Sequence, residues 1–256
     1  MATTMNQGRS NGMLEAPERN HYFYGKLLDV QELQKEQHYG ITARRRLHRL
    51  VLGHGVVCGL NVVADTDGMI RIQPGVALDA LGREIVVPGA LRVNPYQLTD
   101  DQGRIMGEPL ETGTVEICLA YVEKKTDLVP VLVPDCDTSG NCAPSTIRED
   151  FYVIIRRAEG DVPAPPTCQL GDFPLPADSA LHALLCERIN APCPKPAAES
   201  CVPLARVTLP VGDQSIDARA GRQLVYGNAL LYELLLCFAE RVELLQQQVE
   251  ELRSRG

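Results

Sequence analysis

Six of the nine cysteines, Cys136, Cys142, Cys168, Cys186, Cys193 and Cys201, fall inside one stretch rich in Pro, Gly and Asp, and thiolates there are the side chains best placed to do chemistry. Four of them around a zinc ion would hold together loops that lack a core of their own. The spacings, five residues between Cys136 and Cys142, six between Cys186 and Cys193 and seven between Cys193 and Cys201, are wider than the tight C-x-x-C type of knuckle. Structural zinc, disulfides formed after release from the cell, and free thiols therefore all stay open for this set. Cys58, Cys118 and Cys237 sit in apolar periodic segments and read as small core residues. A metal-dependent enzyme would need histidine beside the clustered thiols, and His182 is the one histidine in that stretch.

Other catalytic patterns are missing. His21, His38, His48, His54 and His182 are scattered, and none sits in an H-E-x-x-H helix, a G-x-S-x-G elbow or a Cys-His-Asn arrangement. No Gly-rich phosphate loop is present, and Gly53-His54-Gly55 lacks the third glycine and the preceding strand of a dinucleotide site. Asp100 with Asp101 and Glu149 with Asp150 read as solvated surface pairs, since acid–base work needs carboxylates in contrasting environments. The chain is expected not to be an enzyme and to carry no cofactor beyond that structural zinc.

Bulk properties narrow the partners. With 256 residues and 45% hydrophobic content the chain can bury a sizeable core, and 18 prolines, 21 glycines and few aromatics predict many short strands and turns. A net charge of -8 argues against a nucleic-acid surface, which needs clustered cations in excess. The one basic run, Arg44-Arg45-Arg46 with His48 and Arg49, reads as a solvated helix face or as a docking patch for an acidic neighbour. The longest apolar stretch, Ala229 to Ala239, is broken by Glu233 and falls short of a membrane span. The polar start, residues 1–17, has no signal-like apolar region and reads as a disordered tail, so synthesis and assembly in the cytoplasm are expected, with release as part of a particle.

The elements that must position these groups suggest an α+β chain: a β-rich body of antiparallel hairpins, an N-terminal helix and a long C-terminal coiled-coil-like helix. Residues 18–55 hold an aromatic strand-like run, Tyr22 to Leu28, then a helix from Val30 to Leu52 opened by an Asp29/Glu32 capping box and weakened at Gly40. Residues 56–227 form the body. Val56–Val63 is expected to pair with Met69–Ile72, Gly75–Leu78 with Glu84–Val87, and Thr114–Val122 with Val129–Val133 across the charged run Glu123–Asp127. Residues 134–203 read as inserted loops with one strand, Phe151–Ile155, and one short helix, Ser179–Ile189, before strand character returns at Val202–Leu209. Residues 228–256 are the oligomerisation helix. Leu231, Phe238, Leu245 and Leu252 fall on one heptad position and Leu235, Val242 and Val249 on the other. Leu234, Leu235, Leu236 and Cys237 are expected to pack on the chain's own sheet, whereas the seam beyond Val242 needs another chain.

Tyr22-Phe23-Tyr24-Gly25-Lys26-Leu27-Leu28, Glu36-Gln37-His38-Tyr39, Arg45-Arg46-Leu47-His48 and Gly53-His54-Gly55-Val56-Val57-Cys58-Gly59-Leu60 together resemble an uncharacterised bacterial family encoded with phage-tail-like contractile injection systems. Pro74-Gly75-Val76-Ala77-Leu78-Asp79 with Gly82-Arg83-Glu84-Ile85 is similar to a β-element of tail-fibre and baseplate proteins, and Val202–Val207 with Leu224-Val225-Tyr226 fits the same family. The resemblance implies a structural subunit at the baseplate or its attachments, with no catalytic residues. Partners would then be copies of the chain and other particle subunits, docked through Arg44, Arg45, Arg46 and Arg49. Competing readings are a receptor- or carbohydrate-binding module using the loops at 134–203, and a terminal cap or adaptor component of the particle.

Overall fold

The computed structural model describes residues 16–131, 142–158, 160, 183, 186–187, 189–195, 201–212, 214–219 and 221–255. It is a mixed α and β protein whose named strand pairings are all antiparallel. Helix α1 (Val30–Leu47) begins where the Asp29 carboxylate accepts the Glu32 N–H at 2.9 Å, and it runs into one π-helical turn, His48–Leu52. Gly53 ends it with a positive φ of 82°. Tyr22 to Leu28, expected as a strand, is an exposed segment with a turn at Tyr24-Gly25, because no neighbouring strand edge takes its backbone.

Strand β1 (Gly55–Gly59) pairs with β4 (Gly75–Leu78), which pairs with β5 (Glu84–Val87). Strands β2 (Val62–Ala64), β3 (Ile70–Ile72) and β6 (Leu91–Val93) make a second three-stranded sheet. The expected single strand Val56–Val63 is thus two strands in two sheets. Gly59 and Leu60 both take left-handed φ, 62° and 55°, which turns the chain, and Leu60 drops fully buried into the core. Glycine at 59 and 75 lets β1 and β4 cross closely, since a Cβ on Gly59 would meet the Pro74 carbonyl oxygen at 2.1 Å.

A third sheet orders as β10-β9-β7-β8, from β7 (Gly113–Pro130), β8 (Cys142–Arg157), β9 (Val202–Leu209) and β10 (Ile216–Asp217). Here the structure corrects the sequence reading twice. The charged run Glu123–Asp127 is no turn: it lies inside one continuous 18-residue strand, and β8 extends well before Phe151. Glu123 faces Glu149 and Lys124 faces Arg148 directly, and a diagonal ion pair offsets these like charges, with the Lys124 ammonium 2.7 Å from Asp150. Asp127, at φ 57°, falls between the pairs Thr126↔Thr146 and Leu128↔Pro144, and the register runs unchanged across it. Strand β9 accompanies β7 only as far as Leu119↔Val202, so beyond that point β7 and β8 continue as a two-stranded ribbon.

One contiguous core joins the three sheets, with Leu60, Ile70, Ile72, Ile85, Ile117 and Leu119 among its fully buried members. A disulfide ties Cys118 of β7 to Cys201 just before β9, with Cα atoms 5.8 Å apart. Cys118 is buried as expected, but as half of a crosslink and not as a free core thiol. Cys58 corrects a second expectation, standing exposed on β1 because the register shifts between Val56 and Cys58 and breaks the alternation that would put both on one face.

The turn joining β4 to β5 recurs. In Asp79-Ala80-Leu81-Gly82-Arg83, the Asp79 carboxylate accepts the N–H of Leu81 at 2.9 Å and of Arg83 at 2.8 Å, and pairs with the Arg83 guanidinium. Asp100-Asp101-Gln102-Gly103-Arg104 repeats it, Asp100 accepting from the N–H of Gln102 and Arg104 and pairing with Arg104 at 2.7 Å. The glycine of each turn has positive φ, 78° at Gly82 and 70° at Gly103. At Gly82 the bare Cα also lets α1 come close, because a Cβ would lie 2.1 Å from the Arg45 carbonyl oxygen. Gly82→Ala should therefore lose about 1–3 kcal/mol from backbone strain, with crowding added. Gly40→Ala, in open space inside α1, should gain roughly 0.5–1 kcal/mol. Urea unfolding of both variants checks the contrast, and equal effects would show that α1 does not rest on this turn.

Candidate assembly interface

Helix α2 (Asn228–Arg255) carries an apolar heptad seam that none of the described residues covers. Every residue of α2 whose side chain is described is exposed. Along the seam, Leu235 is 65%, Phe238 66% and Leu252 70% accessible, and Leu231, Val242, Leu245 and Val249 are exposed beside them. The expected packing of Leu234, Leu235, Leu236 and Cys237 on the chain's own sheet does not occur. The three sheets bury their apolar residues against one another in a core that takes in none of the described residues of α2.

The root of α2 is held firmly. Val56 N–H donates to the Gln223 carbonyl and Val225 N–H to the Val56 carbonyl, both at 2.9 Å, so this segment adds a short parallel bridge to β1. The Arg222 guanidinium donates to three main-chain carbonyls, Gly59 at 2.7 Å, Leu60 at 3.0 Å and Leu204 at 3.4 Å. Burial pushes its pKa below the usual arginine value. Val225 is buried, and three residues later the helix begins.

Helix α1 lies on the body through polar contacts and buries none of its residues fully. The predicted docking arginines meet this chain's own carboxylates. Arg44 is 3.5 Å from Glu84 and 3.8 Å from Glu149, and Arg45 is 2.9 Å from Glu123 and lies over the Tyr121 ring. Arg49 donates to the Pro194 carbonyl at 3.0 Å, and Arg46 also has a partner. His48 Nδ1 is 3.1 Å from the Gly82 carbonyl oxygen. Tyr121 donates its hydroxyl to Glu123 at 2.9 Å, and burial followed by that bond raises its pKa well above the usual tyrosine value. Beside exposed polar residues such as Gln34, Lys35 and Gln37, α1 leaves Val30, Leu33, Ile41 and Leu47 exposed, and Val51 in the turn that follows and Tyr22, Phe23, Leu27 and Leu28 before it are exposed as well.

The cysteine set is only partly gathered. Cys136, Cys168 and His182 lie outside the described residues. Cys142 is exposed at the end of the ribbon, Cys193 is exposed, and Cys186 is partly buried with a partner. Cys201 is corrected as a zinc candidate, since its sulfur is bonded to Cys118. Among the described residues no three His, Cys, Asp or Glu side chains come together as a metal-binding group, and no helix is long and apolar enough to cross a membrane. Sequence reasoning missed the Arg222 clamp and the Tyr121–Arg45–Glu123 contact. The repeated D-x-x-G-R spelling at 79–83 and 100–104 was the available signal for the turns. No protein-family model matches the chain, and no curated protein matches it.

The α1 contacts make stability pH-dependent. Hydrogen bonding from Arg45, then from Tyr121, holds the Glu123 carboxyl below its ordinary pKa, and Lys124 does the same for Asp150. A depressed folded-state pKa means that the stabilisation is fully present above the unfolded value, about pH 4.3 for Glu, and drains away as pH falls through the folded value. The urea midpoint should hold between neutral pH and about pH 5, then fall, and Glu123→Gln should flatten that fall. An unchanged acid slope in the variant would remove Glu123 from the account.

Proposed function

We propose that this chain is a non-enzymatic structural subunit of a phage-tail-like contractile injection particle, at the baseplate or its attachments, and that it assembles through α2. The observation that carries the reading is the heptad seam of α2, exposed along its whole length on a helix with a firmly held root. A helix draws most of its stability from packing of its apolar face, so this one depends on a neighbour. Burying a Leu, Val or Phe side chain is worth about 1.5–3 kcal/mol, and seven such residues offset the ordering cost of association. The resemblance of residues 22–60, 74–85 and 202–226 supports the particle context. The Cys118–Cys201 bridge fits a subunit that is assembled in the cytoplasm and then released, since disulfides persist in oxidising surroundings. Because the arginines are engaged with this chain's own carboxylates and carbonyls, docking of other subunits falls to the exposed apolar residues of α1 and the aromatic run before it.

Light scattering coupled to size exclusion should return a multiple of the 28.1 kDa chain mass at tens of micromolar. Val242→Asp with Leu245→Asp should yield a monomer with unchanged sheet signal in circular dichroism. A wild-type monomer that also fails to join purified particles would remove the reading.

One observation favours target recognition as a second role. The β7–β8 ribbon continues about 30 Å past its last contact with β9, carrying exposed Leu128, Val129 and Ile147. Deleting Asp135 to Cys142 should then abolish attachment to the target and leave the oligomer intact. Loss of the oligomer instead would make the ribbon an assembly element.

A further inference from the structure

Resting on assembly through α2, we infer that the helix pairs with a second copy of itself in parallel and in register, so that the bodies of the copies lie side by side at one end. Three features of the chain point the same way, and they concern orientation, which the seam alone leaves open.

The first is a gradient along the helix. In the first half of α2 the positions that flank the seam include Tyr232, Leu234 and Ala239, all exposed. From Gln246 onward the flanks are Gln246, Gln248 and Arg253, and only Val249 and Leu252 remain apolar. A parallel pair sets the apolar-flanked half against its own counterpart. An antiparallel pair sets each such half against a polar one, so Tyr232 and Leu234 would face Gln and Arg side chains.

The second is the matching of seam layers. In parallel register Leu231, Leu235, Phe238, Val242, Leu245, Val249 and Leu252 each meet their own counterpart, and Asn228, one heptad before Leu235, meets Asn228. A polar Asn at such a position specifies register by pairing with itself. The antiparallel alignment that matches Leu231 with Val249, Leu235 with Leu245 and Phe238 with Val242 brings Leu252 opposite Asn228, a polar partner for an apolar side chain, and separates the two Asn228 residues. The positions flanking the parallel seam bring Arg241 near Gln246 and Gln248 near Arg253, so no like charges confront each other.

The third is the surface left on the bodies. Leu224 and Tyr226 at the root of α2 are exposed, as are the outward residues of α1 and Tyr22, Phe23 and Leu27. A helix of 28 residues is about 42 Å long. Parallel pairing brings bodies together where they can cover this apolar surface, and antiparallel pairing holds them a helix length apart with all of it in water.

Cysteine crosslinking decides the orientation. Val249→Cys in the full chain, oxidised mildly and mapped by peptide mass spectrometry, should give a 249–249′ link as its main new product, since same-numbered residues are neighbours in a parallel seam. The matching antiparallel arms mix Val249→Cys with Leu231→Cys and with Phe238→Cys, pairs that should link poorly. Dominant 231–249′ or 238–249′ links, or an oligomer with none of these links, would overturn the inference while leaving assembly through α2 standing. A monomeric wild-type chain by light scattering would overturn both.

Discussion

An α-helix in water keeps its shape mainly by burying one face, and α2 has no face buried. Much of the rest of the molecule can be understood from that constraint. The three antiparallel sheets complete one core among themselves, with Ile70, Ile72, Ile85, Ile117 and Leu119 fully enclosed, and that core takes in none of the described residues of the helix. Yet the chain invests strongly in the root of α2, where Arg222 bonds three carbonyls and Gln223 to Val225 bridge to β1. A rigid base beneath an uncovered seam is the arrangement expected of a subunit that presents a helix to a neighbour at a fixed angle.

The N-terminal half obeys a related division. Helix α1 is fastened by charge and main-chain contacts, Arg45 to Glu123, Arg44 to Glu84, and the Gly82 turn beneath Arg45. Val30, Leu33, Ile41 and Leu47 are left exposed. Exposed ion pairs of this kind hold position with little stabilisation of their own. The tightly hydrogen-bonded Asp79–Arg83 turn then matters doubly, as the hairpin connection of β4 and β5 and as the seat of α1.

Much of this was legible from residue types. The Asp29/Glu32 cap, the glycine stop at 53, the β4–β5 hairpin and the strand at Val202–Leu209 follow from local rules, and local contacts do form there. What could not be read locally depended on distant partners. Glu123–Asp127 looked like a charged turn because its countercharges are distant in sequence, Asp150 on β8 for Lys124 and Arg45 on α1 for Glu123. Val56–Val63 looked like one strand because nothing in the period marks the double left-handed step at Gly59-Leu60. Arg44 and Arg45 looked free to dock a partner because the acidic residues they meet, Glu84, Glu123 and Glu149, are far off in sequence. Cys118 and Cys201, 83 residues apart, could not be paired from spacing, whereas the α2 seam was visible because a heptad is a local pattern.

The central claim is that a second chain covers α2, and amide hydrogen exchange followed over a dilution series tests it most directly. The account predicts strong protection across residues 228–253 at high concentration that fades on dilution, while the amides paired between β7 and β9 stay protected throughout. Protection of the helix that is independent of concentration would mean that its own chain shelters it, and the assembly reading would fail.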